Sequence, residues 1–296
     1  MKILITGGNG QLGTALKQVL VNEEIILTDT DNMDITDPAQ IERVFADFKP
    51  EFLVHGAAYT NVDGCEENPE LAEKVNAGGT KNLAQACQKA GIPMIYISSD
   101  YTFDGTATEP IPEDATPNPL SVYGKTKLAG EEATIALGSS YVLRTSWVYG
   151  EGHNFVRTML ALSEKMDEIK VVNDQFGRPT YALDLALAIY DVITSVIPGR
   201  KPGTHPIPPG IYNVTGDGPI ISWADFAAEI FKITGKKTKI TGISTAEYLS
   251  DRKDRKIAPR PMYSALKLSK SRENNITIHD WKTSLFDYLH KAAQIG

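Results

Sequence analysis

Short, unbroken apolar runs recur through the first half of the chain, separated by longer stretches in which apolar and polar positions alternate with helical spacing. The runs cover Lys2–Thr6, Ile25–Asp29, Phe52–Gly56, Met94–Ser98 and Tyr141–Thr145. Their length and lack of polar alternation predict strands buried on both faces. Helices are predicted between them, for example over Asp37–Phe48 and Pro69–Ala90. Strand and helix in regular succession predict an α/β fold, a Rossmann-like doubly wound parallel sheet with its ligands at the carboxyl ends of the strands.

Beyond about residue 150 the pattern loosens. Helices are expected over Phe155–Met166 and Leu183–Ile197, with an extended segment at Lys170–Asn173 between them. A Pro/Gly-rich loop follows at Pro198–Gly210, then a strand at Ile211–Thr215 and a helix opened by Ser222 as N-cap. A basic segment, Lys236–Lys239, precedes a last helix from about His279. At 296 residues the chain exceeds what one core usually serves. The expected division is a nucleotide-binding Rossmann domain over 1–150, with return segments near 170–200, and a smaller α/β substrate-binding domain made mainly from 151–296.

The first strand runs directly into Gly7-Gly8-Asn9-Gly10-Gln11-Leu12-Gly13, which opens a helix-like stretch. Glycines there let the backbone approach phosphate oxygens, and the helix N-terminus presents free N–H groups with a partial positive charge. The second strand ends in Asp29, about twenty residues beyond the glycines, where a carboxylate accepts hydrogen bonds from an adenosine ribose. Together they predict a dinucleotide site. Asp29 leans the choice towards NADH, because it repels a 2′-phosphate, while NADPH stays open.

Composition narrows the setting. The net charge of −7 argues against a nucleic-acid or membrane-surface binder, and no apolar run reaches membrane-spanning length. Cys65 and Cys87 form no C-x-x-C pair and have no histidine partners at ligand spacing. They read as reduced thiols of a cytoplasmic protein, with no metal site implied.

Two further segments point to chemistry. Tyr123 and Lys127 stand four residues apart, which on a helix places them on one face. A nearby cation favours phenolate, so the spacing predicts a tyrosine tuned for acid–base work. Ile97-Ser98-Ser99-Asp100-Tyr101 closes the fourth strand with hydroxyls, placed to donate a hydrogen bond to a substrate carbonyl.

On these residues the chain resembles the extended short-chain dehydrogenase/reductases, whose glycine turn and Ser/Thr-Tyr-Lys triad match Gly7, Gly10, Gly13, Ser99, Tyr123 and Lys127. The segments Arg144–Gly150, Asn154-Phe155, Asn173–Thr180 and Arg260-Pro261 narrow the resemblance to the dTDP-4-dehydrorhamnose reductases. That resemblance implies reduction of the 4-keto group of dTDP-4-dehydro-β-L-rhamnose by NADPH or NADH. Tyr123 would protonate the developing alkoxide, Ser99 would hold the same oxygen, and Lys127 would bind the nicotinamide ribose and keep the tyrosine acidic. It assigns further cofactor contacts to Gln11, Leu12, Asp29, Asp34, Ile35, Ala57, Ala58 and Tyr59. Substrate contacts fall to Asp100, Tyr101, Trp147, Asn154, Arg178 and Arg260.

Some relatives form dimers bridged by Mg²⁺ through glutamates. The corresponding positions here are Ala15 and Leu183, neither of which binds a hard cation, so a monomer without metal is expected. A dTDP-glucose 4,6-dehydratase would need an acid where Tyr101 stands. A nucleotide-sugar 4-epimerase shares the triad but returns its hydride. A non-catalytic regulatory subunit, like that of methionine adenosyltransferase, shares the Ser-Ser-Asp-Tyr and Tyr-Gly-Lys-Thr-Lys segments.

Overall fold

The computed structural model describes residues 1–197, 205–250 and 256–295. The first half runs β1 (Lys2–Thr6), α1 (Gln11–Val19), β2 (Glu24–Thr28), α2 (Pro38–Phe48), β3 (Phe52–His55), α3 (Val62–Glu67), α4 (Pro69–Ala72), α5 (Thr80–Ala90), β4 (Met94–Ser99), α6 (Val122–Ile135) and β5 (Tyr141–Thr145). The second half continues β6 (Val148–Tyr149), α7 (Phe155–Ser163), β7 (Glu168–Val172), β8 (Phe176–Gly177), β9 (Thr180–Tyr181), α8 (Ala182–Ser195) and β10 (Gly210–Asn213). It closes with β11 (Ile221–Ser222), α9 (Trp223–Thr234), β12 (Lys239–Ile243), α10 (Thr245–Ser250), α11 (Ser269–Glu273) and α12 (Trp281–Ile295).

Six strands form one parallel sheet in the order β10-β5-β4-β3-β1-β2. The chain steps outward from β1 in both directions, so a crevice opens between β1 and β3, where doubly wound sheets bind their ligands. Both faces are covered, as the unbroken apolar runs require. Ile3 and Ile5 pack with Leu16 of α1 and Leu185 and Ile189 of α8, whereas Leu4 packs on the opposite face with Ile41 of α2 and Leu83 of α5. A third core joins Val156, Ile169, Phe226, Ile230 and Trp281 from α7, β7, α9 and α12.

The predicted helix over Pro69–Ala90 is interrupted. Residues Glu73–Gly79 wind as a π-helix between α4 and α5, and this stretch turns a buried asparagine towards the crevice. The Pro/Gly-rich loop falls partly outside the described residues; of it, 205–209 lack regular structure, and the chain then enters the sheet as β10. Together with α8, which packs on α1, this return ties residues 182–195 and 210–213 to the N-terminal sheet. Ser222 caps α9 as expected, in a reciprocal capping box with Asp225. Among the described residues no helix is long and apolar enough to cross a membrane, and no cluster of His, Cys, Asp or Glu could hold a metal ion. Ala15 lies buried in the packing of α1 on α8.

Candidate active site

Two cavities, of about 470 and 600 Å³, lie along the carboxyl ends of the strands. Gln11, Leu12, Gly56, Ala58 and Thr60 line both, so the two are halves of one cleft.

The larger half is built on the turn between β1 and α1. Gly7 sits at φ +73°, and a Cβ there would approach Ala57 N to 2.8 Å; a Cβ on Gly13 would stand 2.4 Å from Gly8 O. Only glycine lets the turn lie this close to β3 and the helix this close to the turn. Gly10 caps α1 without a side-chain hydrogen bond, whereas Asp37, Ser121, Asn154 and Ser222 fill that role for α2, α6, α7 and α9. The first amides of α1 are therefore left for an anion. Asp29, Asp34, Ile35, Ala57, Ala58 and Tyr59 all line this half. Asp29 Oδ2 accepts from Asn9 N at 3.1 Å, fastening the end of β2 to the turn. The buried Gln11 Oε1, where the halves meet, has no hydrogen-bond partner. An uncapped helix start, a carboxylate at the end of β2 lining the cavity and an open buried acceptor fit a dinucleotide.

The smaller half contains Ser99, Tyr123 and Lys127 together. Ser99 ends β4, and Tyr123 and Lys127 occupy the first two turns of α6. A Cβ on Gly124 would fall 2.1 Å from Tyr101 O, so the glycine beside the tyrosine lets α6 press against the end of β4. The Tyr123 phenol and the Ser99 hydroxyl line the same cavity, and the tyrosine ring meets Tyr101 edge-on, with centroids 5.4 Å apart.

The electrostatics correct one expectation. A lysine one turn away predicts a depressed phenol, yet burial pushes Tyr123 well above its ordinary value, and the negative charge of Asp100 adds to the rise, with Ser99 opposing it. The Lys127 ammonium is engaged elsewhere: Nζ donates to Ile97 O at 2.7 Å and lies 4.1 Å from the centre of the Tyr96 ring. Burial brings the lysine down to about 7, opposed by the Glu131 carboxylate one turn further along α6. Tyr123 thus stands protonated, ready to act as a donor.

Behind these residues runs a buried polar spine whose members the sequence reading did not single out. Asn76, on the π-helix, accepts from Tyr59 N at 2.7 Å and donates to Tyr59 O at 3.2 Å and Thr126 Oγ1 at 3.1 Å. Thr126 in turn donates to Tyr123 O. The Thr80 hydroxyl donates to Asn76 O, so it accepts from His55 Nε2; His55 Nδ1 then accepts from Thr6. Burial, reinforced by Lys127, holds His55 neutral, with its pKa down to about 3. The spine couples the Ala57–Tyr59 loop to α6, and its one sequence signal is a polar Asn-Ala-Gly-Gly-Thr stretch inside a helix.

On the far wall, Asp100, Tyr101, Trp147 and Arg260 line the smaller half. Trp147 adopts φ +50°, a left-handed conformation that costs a non-glycine residue of order 1–3 kcal/mol. It is held by stacking on Trp223 at 3.8 Å. Trp223 and Gln175 also line the cavity and were missed. Arg260 pairs with Asp63 at 3.0 Å across the cleft. Two expected contacts lie elsewhere. Asn154 caps α7 and directs its amide to Gly150 O, Gly152 O and the Tyr288 hydroxyl. Arg178 donates to Gly218 O and Leu266 O. Neither lines the cleft, because their donors close loops of the second half.

A model of the RmlD substrate binding domain matches residues 1–294. The chain belongs to that family. It is 37% identical over 294 residues to the spore coat polysaccharide biosynthesis protein SpsK of Bacillus subtilis, covering 98% of this chain and 97% of that one. Among solved structures it resembles a dTDP-4-dehydrorhamnose reductase of Clostridium acetobutylicum, with 42% identity, a TM-score of 0.90 and coverage of 99% and 100% of the two chains. It also resembles the Bacillus anthracis dTDP-4-dehydrorhamnose reductase in complex with NADP, with 35% identity, a TM-score of 0.87 and coverage of 98% and 99%.

Proposed function

We propose that the protein reduces the 4-keto group of dTDP-4-dehydro-β-L-rhamnose with NADPH or NADH, yielding dTDP-β-L-rhamnose for polysaccharide synthesis. The observation that carries this reading is the Ser99–Tyr123 pair, a serine hydroxyl and a protonated phenol brought into one cavity that opens into the cleft lined by the glycine turn. Likeness to reductases over nearly the whole chain gives the substrate class.

Gly7, Gly10, Gln11, Leu12, Asp29, Asp34, Ile35 and Ala57–Tyr59 would hold the cofactor, with Gly13 behind the turn. Bound there, the nicotinamide supplies hydride to C4 of the sugar. Negative charge then grows on one oxygen, and preorganised donors aimed at it lower the barrier. Tyr123, protonated in this environment, gives that oxygen its proton, and Ser99 donates to the same atom. Lys127, held on Ile97 O, would bind the nicotinamide ribose and lend its positive potential to the cavity. Trp147, Tyr101 and Arg260 bound the substrate side; Arg260 would exchange Asp63 for the diphosphate. The same reading makes the protein a cytoplasmic monomer that needs no Mg²⁺, which sedimentation with and without Mg²⁺ checks.

The test is an assay with enzymatically generated dTDP-4-dehydrorhamnose, following loss of nicotinamide absorbance and appearance of dTDP-rhamnose with each cofactor. Stoichiometric oxidation is expected. Conversion without net oxidation would instead identify an epimerase, and no turnover with a co-purifying enzyme would identify a regulatory subunit.

A further inference from the structure

Ser99 has one hydroxyl hydrogen, and in this structure it points at Asp100. Ser99 Oγ donates to Asp100 Oδ1 at 2.9 Å and accepts from Tyr101 N at 3.2 Å. So arranged, it can accept from Tyr123 but cannot donate to a substrate carbonyl, which is what the proposed reaction asks of it. Asp100 itself is 3% exposed, and its Oδ2 is buried without a hydrogen-bond partner although the residue lines the cavity. Ser264 faces the carboxylate without closing a well-formed bond. Among the described residues no cation pairs with it: Arg260 is engaged by Asp63 and Ala258 O, and Lys127 by Ile97 O.

A buried carboxylate with no counter-ion and one idle oxygen is costly, and binding a proton relieves it. Protonation also changes the geometry. A carboxylic acid is a donor, so the bond to Ser99 reverses and the serine hydrogen is released towards the cavity.

We propose that Asp100 works as the neutral acid, donating to Ser99 Oγ and thereby turning the Ser99 hydroxyl towards Tyr123 and the substrate carbonyl. Asp100 is then a positioning residue that acts through Ser99; no bond to carbon changes at it, and its proton stays in place through the turnover. The inference rests on the reading of this cavity as a ketone-reducing site. Burial, the largest influence, brings the Asp100 carboxyl up to about 6, near enough to neutrality for the switch to be visible. The other groups facing it are Ser99, Ser264, Tyr101 and Tyr123, and both phenols are pushed far above the range concerned. Arg260 and Asp63 stand behind Tyr101, and Cys65, pushed up to about 11, behind Tyr123. Lys127, at about 7, is the one nearby group in the cavity able to imitate the effect.

The experiment compares kcat/KM against pH for the wild type, Asp100→Asn and Ser99→Ala. Wild-type kcat/KM is expected to fall by roughly tenfold or more from pH 6 to pH 8 as the aimed donor is lost, a typical scale for one oxyanion donor. An asparagine amide donates to Ser99 at every pH, so Asp100→Asn should lack this limb, and its ratio to wild type should rise with pH. Ser99→Ala should be slow throughout and also lack it. A limb unchanged in Asp100→Asn would assign the titration to Lys127 and overturn the proposal. An Asp100→Asn variant as impaired as Ser99→Ala at every pH would overturn it too, since Asp100 would then be acting as an anion. Independently of any substrate, infrared difference spectra of wild type minus Asp100→Asn should show a protonated-carboxyl stretch at pH 5.5 that is lost by pH 8. Absence of that band at both pH values refutes the proposal; the band without keto-sugar turnover sinks the substrate reading alone.

Discussion

Replacing Glu131 by glutamine separates the two services this buried carboxylate performs. Its oxygens accept from Arg144 Nε at 2.9 Å and Nη2 at 2.7 Å, and Ser98 Oγ donates to it at 2.5 Å. The carboxylate is 3% exposed and the guanidinium 1%, so solvent screens neither. Glutamine keeps the shape and removes the charge, leaving Arg144 buried without a counter-ion. Breaking one side of such a pair costs about 3–5 kcal/mol, consistent with the loss of two charge-assisted bonds. The second service is to Lys127, one turn earlier on α6, whose ammonium Glu131 supports against burial. Without it the lysine titrates below about 7, and each further unit is worth about 1.4 kcal/mol against the charged form. Urea unfolding at pH 7 reads the first effect, and NADH affinity measured from pH 6 to pH 8.5 reads the second, as a loss of binding that sets in at lower pH than in the wild type. A second variant, Glu131→Gln with Arg144→Met, should recover much of the stability while leaving the cofactor profile shifted, because it removes the stranded charge and does not restore the lysine's support. A stability loss under about 1 kcal/mol would show that the ion pair is not the buried element described here. An unshifted cofactor profile would refute the coupling to Lys127.

Tyr123→Phe should lower kcat by about 10²–10⁴-fold, the range for losing a positioned general acid, while leaving cofactor affinity near that of the wild type; comparable turnover would remove the tyrosine from the mechanism. Asp29→Ala should move the kcat/KM ratio towards NADPH. Among the described residues no Lys or Arg lines the larger half of the cleft, and a carboxylate near a 2′-phosphate in a water-like medium costs about 1–2 kcal/mol, or roughly 5–30-fold. A ratio indifferent to the substitution would mean that the 2′ position does not face Asp29.

The sheet was legible because its signal is local. β1 and β5 fall where the apolar runs predict, β3 and β4 differ by one residue at an end and β2 is shifted by one residue as a whole, since a strand covered on both faces has no polar positions to blur it. The glycine turn was legible for the same reason: a backbone that must come within van der Waals distance of another leaves glycine as a mark in the sequence. The π-helix left no such mark. Nothing in its periodicity separates Glu73–Gly79 from the helices on either side, and its effect, turning Asn76 towards Tyr59 and Thr126, depends on partners seventeen and fifty residues away.

Site residues divide by what their donors do in three dimensions. Asn154 and Arg178 carry the residue types of a sugar or phosphate contact, yet their hydrogen bonds are consumed in closing loops. Trp223 is an unremarked aromatic at a helix start until Trp147, in a strained backbone conformation, is found stacked upon it. The Tyr123–Lys127 pair is the most instructive. Helical spacing correctly places both side chains in one cavity, but spacing carries no information about desolvation, and here burial sets the state of the phenol while the ammonium is held by Ile97 O and the Tyr96 ring. For a reductase that outcome favours the chemistry. The step in question delivers a proton, so a phenol kept protonated by its surroundings is already in the working form. The lysine's charge becomes most useful after transfer, when the cavity it shares with Tyr123 holds a phenolate rather than a phenol. Burial and cation then act in sequence, the first securing the donor and the second stabilising what it leaves behind.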